Sequence, residues 1–101
     1  MVDTLRPKFS LGKIVATPAA LKAIRRSRQA ASDLIRRHHD GDWGEALDAE
    51  DKALNDKALK DGSRIMSAFN LRSGQKIWII TEATGEDGQR AATTLLLPDE
   101  Y

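Results

Sequence analysis

At Gly62 the spacing of apolar residues changes from one repeat to another, and this change limits the fold more than any other feature of the chain. From Pro18 up to it, apolar positions recur every three or four residues, as on helices with one buried face. After it they alternate, as on strands. A chain of 101 residues built this way is expected to close around one core as a single α+β domain. The expected order is β-α-α-α-β-β-β, with an antiparallel sheet of three to four strands, a C-terminal meander plus an N-terminal strand, packed against two or three helices.

The local signals divide the chain further. Residues 9–15 read as a strand with Phe9, Leu11 and Val15 on one face and Gly12 allowing a bulge or a close backbone approach. Thr17-Pro18 starts a helix over 18–26, a hydroxyl cap followed by proline where no N–H is needed. Leu21 and Ile24 are expected inward. Residues 30–39 read as a second helix with Leu34 and Ile35 inward, or as the continuation of one bent helix. Gly41 ends it. A third helix over 48–60 carries Leu47, Leu54 and Ala58 on one stripe, acids at its N-terminus and Gly62 at its end. Strands come next over 64–71, 76–82 and 91–97, joined by glycine-bearing turns. In the middle one Ile77 and Ile79 point one way and Trp78 and Ile80 the other, so that strand is expected to be central and covered on both faces. Residues 1–8 are expected to be a flexible lead-in.

Charge is divided unevenly. Residues 1–40 carry nine Lys/Arg and three acids, +6, whereas residues 41–101 carry seven bases and twelve acids, −5, so the total of +1 hides a basic front and an acidic back. Such a split raises the prospect of an electrostatic partner surface, or of two halves that neutralise each other. There is no cysteine, which excludes disulfides, thiol chemistry and Cys-ligated metals. No apolar run approaches the roughly 20 residues that span a bilayer, and the N-terminus lacks an apolar leader, so a cytoplasmic protein is expected.

Chemistry-bearing residues each allow two readings. Lys22, Arg25, Arg26, Arg28, Arg36 and Arg37 form a basic segment that suits phosphates or acids, or else a solvated helix face paired with acids further on. His38 and His39 read as helix-end histidines favoured by the C-terminal dipole, or as acid–base groups. Neighbouring helical side chains diverge by about 100°, so the pair does not form a zinc helix. Asp40-x-Asp42 lacks the other ligands of a calcium loop. Trp43, between two glycines, is either a lid on the core or an interface anchor. No serine has the context of a nucleophile, and no cofactor or metal is implied.

Five blocks, Leu11-Gly-Lys-Ile-Val-Ala-Thr-Pro18, Gly41-Asp-Trp-Gly44, Asn55-Asp-Lys-Ala-Leu59, Ile77-Trp-Ile-Ile-Thr-Glu-Ala83 and Thr93-Thr-Leu-Leu-Leu-Pro-Asp-Glu-Tyr101, resemble a family of small bacterial "plasmid-related" proteins of plasmids, phages and other mobile elements, sometimes labelled restriction-system subunits. The resemblance covers the chain from about Phe9 onward, with a longer hairpin over residues 84–90. The chain is too short for a restriction methyltransferase subunit and has no S-adenosylmethionine loop. What the resemblance implies is a compact accessory protein of mobile DNA, of the kind that inhibits host defence.

Three functions are therefore expected in turn. The first is a non-catalytic binding protein, an anti-CRISPR or anti-restriction type factor, whose acids Asp42, Glu45, Asp48, Glu50 and Asp51 mimic phosphates toward a basic nucleic-acid-handling partner with Trp43 as anchor. The second is a small nucleic-acid-binding protein using the basic helices. The third is a small ribonuclease using His38 or His39. Oligomeric state stays open, a dimer being expected if an apolar sheet face is left uncovered.

Overall fold

The computed structural model describes residues 8–101; the expected lead-in over residues 1–7 lies outside them, and Lys8 is tied down by its N–H to the His39 carbonyl at 3.0 Å. The chain runs β1 (Lys13–Ala16), α1 (Pro18–Arg26), α2 (Ala31–His39), α3 (Ala49–Asp61), β2 (Ile65–Asn70), β3 (Lys76–Thr81) and β4 (Ala92–Leu96), with a final 3-10 turn at Pro98–Glu100. The α+β class and the element order match the reading of the sequence. The two short helices are separate, broken at Ser27, where the chain turns through a left-handed Arg28 (φ 56°).

The sheet order is β1-β4-β3-β2. The meander β2-β3-β4 is antiparallel as expected, but β1 pairs with β4 in parallel, so the sheet is mixed. The cause lies in the segment directly after β1: α1 starts at once, capped where the Thr17 hydroxyl accepts the Ala20 N–H at 3.0 Å, and folds back along β4. A strand leading into a helix that returns over the sheet is the parallel crossover arrangement. β1 is also shorter than expected. Gly12 sits at φ +63° against the Arg90 carbonyl with no room for a side chain, so the close approach is real, and residues 9–12 are not strand. Phe9, Leu11 and Val15 therefore do not share one strand face: Val15 is exposed, and Phe9 packs against the cluster around Trp43.

One sheet face carries Ile65, Ser67 and Phe69 of β2, Ile77, Ile79 and Thr81 of β3, and Thr93 and Leu95 of β4. Ala20, Ala23 and Ile24 of α1 and Leu34 of α2 close over it as the main core. Leu21 is exposed instead of inward, because the helix presents its small residues, which let it lie close to the sheet. A second cluster of Trp43, Leu47, Ala58, Ile65 and Ala68 sits at the β2 edge, with Met66 and Trp78 against it. Trp78 is half-buried, its ring meeting Tyr101 edge-on at 5.6 Å, and β3 is central as expected.

The β2 edge explains the Gly41-Asp-Trp-Gly44 loop. Outward-facing backbone groups of an edge strand invite pairing with other chains unless covered. Here the Asn55 amide donates to the Met66 carbonyl at 2.6 Å and accepts its N–H at 3.1 Å. Ala68 N–H reaches the Trp43 carbonyl and its carbonyl takes the Ala46 N–H, both at 3.0 Å. Glu45 accepts from Asn70 N–H. α3 therefore buries Asn55 and Ala58, and Leu54, expected on the buried stripe, is exposed.

Candidate polyanion interface

α1 sorts its residues by face: Ala20, Ala23 and Ile24 go inward and Lys22, Arg25 and Arg26, spaced three and four apart, face water. Arg25 and Arg26 occupy the last turn, where the helix dipole favours cations. The chain then turns through Ser27 to Ala30. Backbone bonds from Ser27, Arg28 and Gln29 to carbonyls of the last turn of α1 hold this turn rigid.

A second turn, between β2 and β3, is fastened to the first. Ser27 Oγ donates to Ser73 Oγ at 3.0 Å, Arg72 N–H donates to Gln29 Oε1 at 2.8 Å, and Arg72 Nη1 reaches the Arg28 carbonyl at 3.4 Å. This seam brings exposed Arg72 to the end of α1. No Asp or Glu occurs between Asp3 and Asp33 or between Asp61 and Glu82. Two acid-free stretches thus meet at one pole. Among the described residues, no carboxylate lies within 4 Å of Lys22, Arg25, Arg26, Arg28, Arg72 or Lys76. Arg72 was not legible as a member, because a lone arginine in a hairpin turn carries no local signal of what packs beside it.

The other two arginines of the expected basic segment behave differently. Arg36 pairs with Asp33 at 3.1 Å on the α2 surface. Arg37 lies 4.4 Å over the Phe69 ring and forks onto Asp42 at 2.7 Å and Glu45 at 3.0 Å. The hydrogen bond to Asp42 dominates and raises the Arg37 pKa. Partial burial pushes both carboxyls up, but the Arg37 guanidinium and the backbone N–H groups of Gly44 and Asn70 outweigh it and hold them below the ordinary range. Here the basic and acidic halves of the chain neutralise each other.

Comparison with protein families, curated proteins and solved structures finds no match.

The expected acidic surface is reduced accordingly. Asp42 and Glu45 belong to Arg37; Asp48 caps α3 by accepting Asp51 N–H at 2.8 Å; Glu50 and Asp51 remain on its first turn. Trp43 is the lid of the second cluster, 6% exposed, with its indole N–H on Asp56 at 3.0 Å. As an anchor it would present almost no ring.

His38 is no helix-end cation, as the sequence suggested. It is fully buried beneath α2, with Nδ1 2.6 Å from Ser67 Oγ and Nε2 2.9 Å from Thr81 Oγ1. Thr93 donates to the Leu11 carbonyl at 2.7 Å, so it accepts from Thr81 at 2.6 Å. Thr81 therefore accepts Nε2–H, and Nδ1 takes the Ser67 proton. One neutral tautomer satisfies the whole chain. Burial pushes the pKa of His38 down to about 3. Every side chain in this relay is buried, so no substrate reaches it. His39 spends Nε2 on the Phe9 carbonyl at 2.8 Å.

Two other depressions mark the surface. One of about 440 Å³ is lined by Lys8, Lys60, Thr84 and Arg90, but the Arg90 guanidinium is committed to the carbonyls of Ser63, Glu82 and Ala58 at 2.7 to 3.2 Å. The other, about 270 Å³, lies between Leu54, Met66, Trp78 and Tyr101. Among the described residues there is no group of three His, Asp or Glu placed to hold a metal ion, and no helix long and apolar enough to cross a membrane.

Proposed function

We propose that this chain is a non-catalytic nucleic-acid-binding protein that engages phosphates through the cations at the end of α1. The observation that carries this reading is the sorting of charge: the loop acids nearest the basic segment are taken by Arg37, and Lys22, Arg25, Arg26 and Arg28 are left facing water together. Clustered lysines and arginines on a fixed scaffold are the electrostatic footprint of phosphate binding.

Phosphate mimicry by the acidic loop has less support, since three of its five acids are occupied and its tryptophan is buried. A ribonuclease using His38 or His39 has less support too, since His38 is enclosed and half-buried His39 spends Nε2 on the Phe9 carbonyl. The mobile-element setting implied by the sequence blocks belongs to this proposal: a small accessory protein acting on nucleic acid in the cytoplasm.

The test is fluorescence anisotropy with labelled duplex DNA, single-stranded DNA and RNA at low salt. Binding to at least one of them, lost in the Arg25→Ala plus Arg26→Ala double variant, is expected. Failure to bind any nucleic acid, or binding indifferent to the double variant, overturns the reading.

A further inference from the structure

We infer that the nucleic acid bound at this pole is double-stranded, held through its phosphate backbone. The inference rests on the nucleic-acid reading above and adds which form is bound and how.

Single-stranded nucleic acid is held by charge together with aromatic faces on which bases stack. The chain has five aromatic residues, two Trp, one Tyr and two Phe, and none is free at the pole. Phe69 is fully buried under Arg37, and Trp43 is buried in the edge cluster. Phe9 packs against His38, His39 and Trp43. Trp78 and Tyr101 pack on each other beside Arg64. Trp78 alternates with the residues that α1 covers, so this pair belongs to the opposite sheet face. The pole offers cations alone.

The Gln29 amide oxygen is spent on the Arg72 N–H inside the seam, and the guanidinium forks of Arg25, Arg26 and Arg28 stay exposed. The five cations Lys22, Arg25, Arg26, Arg28 and Arg72 project from a helix face and two turns locked to each other by side-chain bonds. Cations borne on a fixed backbone suit a regular lattice of phosphates, which a duplex presents and a flexible strand does not.

The expected behaviour is quantitative. Engagement of four phosphates gives a slope of about −3.6 for log affinity against log salt, so affinity falls about 150-fold between about 50 and about 200 mM salt. The experiment titrates the full chain with a short DNA duplex, with an RNA duplex of the same sequence and with the separated strands across that range. Support consists of tighter binding to duplex than to the separated strands, together with the steep salt slope. Arg28→Gly removes one cation at a backbone angle glycine adopts freely, so it stays folded, which circular dichroism verifies; it is expected to lower the slope by about 1. Single strands bound as tightly as duplex overturn this inference and leave the proposed function standing. Binding to vesicles of anionic lipid with no binding to any nucleic acid overturns both.

Discussion

The Ser67 hydroxyl donates to Nδ1 of His38 across 2.6 Å, which leaves the imidazole neutral and seals it into a four-side-chain relay that ends on the Leu11 carbonyl. This relay ties α2 to three strands and to the segment before β1. Buried polar groups stabilise a fold when every member is satisfied, and no buried side-chain polar atom among the described residues lacks a partner.

The relay makes stability depend on pH. His38 has an ordinary pKa near 6.5 when unfolded and about 3 when folded. The unfolded chain therefore binds the extra proton first, and stability is full above the unfolded pKa and is lost as pH falls toward the folded one. Lowering the pH from about 7 to about 5 is expected to cost about 2 kcal/mol. Denaturant unfolding at both pH values measures it, and His38→Gln is expected to abolish the difference. An unchanged midpoint in the parent would refute the assignment.

Arg37 and the α1 arginines are expected to separate by function. Arg37→Ala removes a partly exposed fork on Asp42 and Glu45 and a contact with the buried Phe69 ring, at a cost of about 1 to 2 kcal/mol. Affinity for DNA is expected to stay within about twofold, because the cation is already neutralised. A large loss of binding without loss of stability would place Arg37 in the interface.

Asn55→Ala leaves the Met66 N–H and carbonyl without partners on the outer edge of the sheet. The expected loss is about 2 kcal/mol, from two orphaned backbone groups that water satisfies only in part. Light scattering is expected to show association through the opened edge. A soluble monomer of unchanged stability would mean the amide is dispensable.

Gly44 and Gly74 offer a controlled comparison. Both have positive φ, +94° and +95°, but a Cβ at Gly44 would overlap the Ala68 carbonyl, whereas nothing lies within 4 Å of one at Gly74. Gly74→Ala is expected to cost about 1 kcal/mol, the backbone strain alone. At Gly44 the same change also breaks the pairing of the loop with β2, and a loss of at least about 3 kcal/mol is expected. Thermal melts of the two variants decide it; equal costs would show that the loop moves aside freely.

The sequence by itself determined the elements. Caps, glycine stops and the change of period at Gly62 are local, and they located three helices, the meander and the central β3 within a few residues. The α+β class came with them, because such elements have few ways to share a core. Tertiary structure decided everything that depends on what lies opposite. The parallel pairing of β1, the burial of Asn55 rather than Leu54, and the enclosure of His38 each depend on partners at least 11 residues away. The charge split was divided the same way. Arg37 and the loop acids turned inward to each other, whereas the cations of α1 met Arg72 across a seam 43 residues apart in sequence. Long-range packing sets which charges have partners, and no pattern along the chain encodes it.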